Sequence, residues 1–169
     1  MSHPNLCERW KSPFETAPIP SSTYDLAYAY NVIEHIQNPA QFLSTLLRVL
    51  KPGGIFWALT PYGPHPFCRL SRSIEVLGAK GWFAKRNAGV NDYPAYYRLN
   101  TIRSVTAGAQ RSGFASATFY RFPCVNWDTY FPSALRWVPN LYDCILGIRA
   151  SPCMQILAYR LRSPERPTV

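Results

Sequence analysis

The chain has 169 residues, of which 47% are apolar and 16% charged, and it carries a formal charge of +9. That length suits one domain with a substantial core, and so low a charged fraction excludes an intrinsically disordered chain. No apolar run approaches the roughly 18 to 20 residues of a membrane-spanning helix, and the polar opening MSHPNLCERWKSP lacks a signal peptide's apolar core, so a cytoplasmic protein is expected.

Residues 1–23 are polar and proline-broken and read as a lead-in loop. DLAYAYNV, Asp25 to Val32, is apolar and aromatic after its first residue, as a strand buried on both faces requires. Asn38 is placed to cap a helix and Pro39 to start it, and Phe42, Leu43, Leu46, Leu47 and Leu50 follow at helical spacing. KPGG is expected to stop that helix, with Gly53 in a left-handed turn, before a second buried strand from Ile55 to Thr60. Strand, crossover helix and strand of this length predict a parallel βαβ unit.

Further along, a helix is expected from about His65 to Leu77 and a loop from Gly78 to Leu99. Asn100 is then placed to cap a helix over Thr101 to Arg111, ended by Gly113. FASATFYRF (114–122) and CMQILAYRL (153–161) read as strands, with helical structure expected near Leu135 or over Tyr142 to Ile148. The α/β unit thus runs over 24–162, and 163–169 form a tail. Cys7, Cys68, Cys124, Cys144 and Cys153 are odd in number and lack C-x-x-C spacing, which favours reduced thiols over a zinc site or disulfide framework. The basic residues are scattered in ones and twos, a pattern of a solvated surface that argues against a nucleic-acid-binding face.

YDLAYAYNVIEH followed by NPAQFLSTLLRVLKPGGIFWALTP resembles the class I S-adenosylmethionine-dependent methyltransferases, in particular those modifying small molecules, lipids or quinone precursors. The shared pattern is a Y-D strand, an E-H pair, an N-P helix start, then R-V-L-K-P-G-G and a strand ending in T-P. The later YRLNTIRSVTAGAQRSGFASATFY is similar to that family's next helix and strand, so the resemblance covers roughly residues 14 to 161. It implies part of a Rossmann-like α/β sheet: the fourth strand at Asp25 to Tyr30, the fifth at Ile55 to Thr60, the sixth at Phe114 to Phe122 and an antiparallel seventh at Cys153 to Leu161. The family's glycine-rich cofactor turn, which follows its first strand, has no counterpart before Gly53, the first glycine. The expectation is therefore a C-terminal part of a methyltransferase domain, its N-terminal strands missing, that binds S-adenosylmethionine weakly or not at all by itself. It would act on an unidentified oxygen, nitrogen or carbon nucleophile, or serve as a non-catalytic partner or regulatory subunit.

By the same resemblance Ala29, Tyr30, Asn31 and Val32 border the cofactor, or else pack and turn the chain. His35 is a general-base candidate because imidazole titrates near neutrality, and the Glu34–His35 pair otherwise satisfies nearby loops. Thr60, Tyr62 and His65 fall on the substrate side, where TPYGPHP is also an ordinary turn. Tyr93, Tyr96, Tyr97 and Arg98 offer stacking and a charge-assisted bond to an aromatic or anionic substrate, or form a packed loop. YRFPCVNWDTYFPSALRWV is an apolar lid or membrane-surface segment, or else helical core or a contact with the missing half, and the partners expected are a small-molecule acceptor and a complementing chain or homologue.

Overall fold

The computed structural model describes residues 8–65, 68–69, 72–73, 94–122, 134, 137–148 and 156–165. Strand β1 (Tyr24–Tyr30) is followed by a 3-10 turn (Ile33–His35), helix α1 (Pro39–Val49) and strand β2 (Leu50–Pro61). Helix α2 (Ile102–Ser112), strand β3 (Ser116–Phe122), helix α3 (Trp137–Ile148) and strand β4 (Ile156–Arg162) complete the described elements. The sheet order is β1-β2-β4-β3, with β1 and β2 parallel and β4 antiparallel to both β2 and β3. The expected fourth, fifth, sixth and seventh strands are thus present, and the last is the antiparallel one.

Alternation across the register gives the sheet two unlike faces. On one, Ala29, Phe56, Ala58, Leu157, Tyr159 and Leu161 meet Phe42, Leu43 and Leu46 of α1 and Val105 and Ala109 of α2 in a single buried cluster. Burying each leucine there contributes about 1.5–3 kcal/mol. The expectation that β1 is buried on both faces fails here: the opposite face carries Leu26, Tyr28 and Tyr30, exposed at 59%, 61% and 60%, beside Trp57, Tyr120 and Phe122. β1 is the last strand of the sheet on its side, among the described residues.

Three boundaries differ from the sequence reading. Leu50 is extended and opens β2, so α1 ends one residue earlier than the leucine stripe suggests. KPGG lies within the start of β2 and does not cap the helix: Gly53 has φ +75°, and the register against β1 slips between Tyr24 and Leu26. A Cβ on Gly54 would meet the Lys51 carbonyl oxygen at 2.8 Å, which accounts for the second glycine. Finally, Thr101 caps α2, for a reason found in the site itself.

Candidate functional site

Parallel pairing brings the carboxyl ends of β1 and β2 side by side, the place where open α/β sheets hold ligands. The Asn31 N–H donates to the Leu59 carbonyl at 3.0 Å, extending the ladder one residue. Its φ of +51° then turns the chain away from the sheet, a left-handed conformation that asparagine tolerates better than most residues. The 3-10 turn follows at once, and the Asn38 side chain accepts the Gln41 N–H at 3.3 Å to start α1.

Beneath this turn lies a buried polar chain. Glu34, Thr60 and Asn100 are exposed at only 7%, 0% and 0%. Thr60 Oγ1 lies 3.0 Å from Glu34 Oε2, and Asn100 Nδ2 lies 2.6 Å from Thr60 Oγ1 and 2.9 Å from the Pro61 carbonyl. Donor and acceptor roles follow from the chemistry. A carbonyl only accepts, so the Asn100 amide group points its nitrogen at Pro61 and Thr60; the single Thr60 proton then goes to Glu34, whose Oε2 accepts. Because Asn100 is used inward, Thr101 takes the cap of α2, forming a reciprocal capping box with Ser104.

The same turn fastens the 94–98 segment. The N–H groups of Tyr96 and Tyr97 donate to the Glu34 carbonyl at 2.6 and 3.1 Å, and Arg98 Nη1 donates to the Gln37 carbonyl at 2.5 Å. His35 Nδ1 sits 2.8 Å from the Pro94 carbonyl. That oxygen requires a proton on Nδ1, so in the neutral ring Nε2 is the acceptor nitrogen, 4.0 Å from Glu34 Oε1. Tyr97 holds φ +51°, a strained conformation for a bulky residue, and the Arg98 guanidinium lies 5.6 Å from the Tyr96 ring centre.

The residues singled out in the sequence separate by depth. Tyr30, Asn31 and Val32 are exposed at the end of β1, whereas Ala29 is buried beneath them. Thr60, Tyr62 and His65 are buried, and burial drives the His65 imidazole down to about 4, so it is neutral. Tyr97 is half-buried and Arg98 exposed. Tyr93, the greater part of the aromatic stretch from 123 to 136, and most of the expected helix from His65 lie outside the described residues. Tyr159, fully buried in β4, has its hydroxyl pKa raised by burial and by the Glu34 charge, so it stays protonated. A groove of about 970 Å³, lined by Asn38, Gln41, Ser44, Arg98, Ser104 and Arg111, is built by α1 and α2 and does not include the strand ends.

The sequence singled out Glu34 with His35 as a pair that satisfies nearby loops, and Asn100 as a helix cap; the burial of the Glu34 carboxylate and its indirect support by Asn100 were not expected. Positions 34, 60 and 100 are joined only by the fold, and no spacing in the chain announces them.

Residues 3–58 match the family profile described as "Methyltransferase domain". A Mycolicibacterium smegmatis protein described as a "probable S-adenosylmethionine-dependent methyltransferase" is 41% identical over 59 residues, 35% of this chain and 20% of the relative. The ubiquinone biosynthesis O-methyltransferase of Caulobacter vibrioides is 29% identical over 90 residues, 50% of this chain and 32% of the relative. This chain therefore spans between a fifth and a third of these two relatives. Among solved structures, a chain of the complex between the Haloferax volcanii Trm112 methyltransferase activator and a methyltransferase superposes with a TM-score of 0.57. It is 15% identical, with 94% of this chain and 61% of that chain covered.

Proposed function

We propose that this chain, similar over residues 3–58 to the methyltransferase-domain family and in part to S-adenosylmethionine-dependent relatives, forms the acceptor side of a methyl-transfer site for a small-molecule oxygen, nitrogen or carbon nucleophile. One observation carries this reading: the exposed end of β1, His35 and the 94–98 segment meet at the carboxyl ends of two parallel strands. The O-methyltransferase among the relatives favours an oxygen acceptor.

S-adenosylmethionine, when bound, supplies an electrophilic methyl group on its sulfonium. Tyr30, Asn31 and Val32 suit one wall of its site, since all three are exposed, and among the described residues the Asn31 carboxamide has no hydrogen-bond partner. Ala29 packs below that wall. His35 takes the acceptor's proton at Nε2, where the Glu34 carboxylate stabilises the resulting imidazolium, while Pro94 holds the ring by Nδ1. Tyr97 and Arg98 face the acceptor, and Thr60, Tyr62 and His65 support the site from below. Alignment contributes most, because in-line attack on a methyl group needs geometry before it needs acid or base.

Titration of the isotopically labelled chain with S-adenosylhomocysteine tests the reading. The largest amide shifts are expected at Tyr30, Asn31 and Val32; undisturbed amides there at millimolar ligand would overturn it.

A second reading rests on the edge of β1, which pairs with no further strand among the described residues, and on the exposed Leu26, Tyr28 and Tyr30: a complementing chain adds strands beside β1 and completes the cofactor site. In that case tight cofactor binding requires the partner. The activator complex among the structural neighbours is a parallel for such assembly.

A further inference from the structure

We infer that Thr60 and Asn100 are positioning residues that lock the Tyr96–Tyr97 segment onto the Glu34 turn, so that the acceptor and cofactor sides of the site move as one body. The inference deepens the methyl-transfer reading and rests on it for its functional meaning, but its structural content stands on the hydrogen bonds alone.

Glu34 faces two ways. Its carboxylate is held from below by the Thr60 hydroxyl, and its carbonyl holds both amides of the Tyr96–Tyr97 pair from above. Thr60 is itself held by Asn100, the residue immediately before α2, and Asn100 is anchored to Pro61 at the end of β2. The 94–100 segment therefore closes a ring: it leaves the Glu34 carbonyl, passes Arg98 on the Gln37 carbonyl and returns through Asn100 to Thr60 and the Glu34 carboxylate. Each bond of this ring holds the next in place, so loss of one link loosens its neighbours. It also explains why Tyr97 stays left-handed: such strain persists only where the surroundings over-determine it, and here its amide is fixed by Glu34.

The weak link is the Thr60 hydroxyl, because among the described residues it is what connects the Glu34 carboxylate to Asn100. Valine in its place keeps the shape and leaves a buried carboxylate without that donor, an outcome far more costly than loss of a solvent-exposed bond. Serine keeps the donor. The carboxylate then withdraws toward water in the valine variant, the Glu34 turn shifts, and Tyr97 relaxes.

Hydrogen exchange of the full chain tests this without requiring turnover. In Thr60→Val and Asn100→Ala, exchange at the Tyr96 and Tyr97 amides is expected to rise by about tenfold or more. The amides of Leu157 and Tyr159 in β4 should change by less than about twofold, and Thr60→Ser should exchange at Tyr96 and Tyr97 like the parent. Unchanged exchange at Tyr96 and Tyr97 in Thr60→Val would overturn the inference, as would a rise of equal size at β4. Failure of the methyl-transfer reading has a different sign: no amide shifts with S-adenosylhomocysteine, whatever the exchange pattern.

Discussion

Trp57 of β2 stacks on Tyr120 of β3 across the intervening β4, with ring centres 5.7 Å apart and planes inclined by 22°. The pair lies on the sheet face that α1 and α2 do not cover, in line with Leu26 and Tyr28 on the open edge strand. A strand edge that is unpaired among the described residues, next to exposed apolar side chains, is a template for association. Sedimentation should therefore show a mass that rises with concentration, and Leu26→Lys with Tyr28→Lys should shift the chain toward monomer. Both sites are exposed, so stability should change by no more than about 0.5 kcal/mol each. Equal association of parent and variant would remove this face as the contact.

Thr101→Ala should destabilise the chain by about 1 kcal/mol through loss of the α2 capping box, as read by urea unfolding. The result separates the two neighbouring polar residues: Thr101 acts on α2, and Asn100 on the site. An unchanged midpoint in Thr101→Ala would place the cap elsewhere.

The order of elements was legible because each rests on local signals. Asn38–Pro39 starts α1, a leucine stripe continues it, and charge-poor runs such as Phe56, Ala58 and Leu157 mark strands covered on one face at least. The parallel pairing of β1 and β2 followed from connection length alone. Leu50 was misplaced because a leucine at helical spacing is equally at home in a buried strand, and backbone pairing with Tyr24 decided the matter. Asn100 and Thr101 are both good caps, and only the tertiary demand of Thr60 distinguishes them. The site was legible as far as the Y-D strand and E-H pair carried it. Its inner chain was not, since a glutamate carries no mark of burial and its partners are supplied by loops distant in sequence.

Gly113→Ala should cost about 1–2 kcal/mol, because Gly113 ends α2 at φ +89°. The nearest atom to an added Cβ is Leu47 Cδ2 at 3.7 Å, an ordinary contact, so the cost comes from the backbone and not from crowding. Gly113→Asn, which tolerates the left-handed region better, should lose less. Equal losses for alanine and asparagine would contradict the backbone account.

His65 links the buried end of the site to pH. It is 1% exposed, and burial lowers its pKa from 6.5 to about 4. An unfolded chain leaves that imidazole near 6.5, so between about pH 4 and 6.5 the unfolded state holds a proton that the folded state lacks. Stability from this group is complete above about pH 6.5 and falls as pH drops through the window, by at most about 1.4 kcal/mol per pH unit for one proton. His65→Gln cannot titrate there. Urea unfolding from pH 4.5 to 7.5 should give a steeper pH dependence for the parent than for His65→Gln, whatever the variant's absolute stability. Parallel curves would mean that His65 binds its proton equally in the folded and unfolded chain, so that burial does not lower its pKa. Under the expected result His65 is neutral near pH 7 and offers no positive charge there, whereas Arg98, exposed beside Tyr96, is a cation among the described residues of the 94–98 segment.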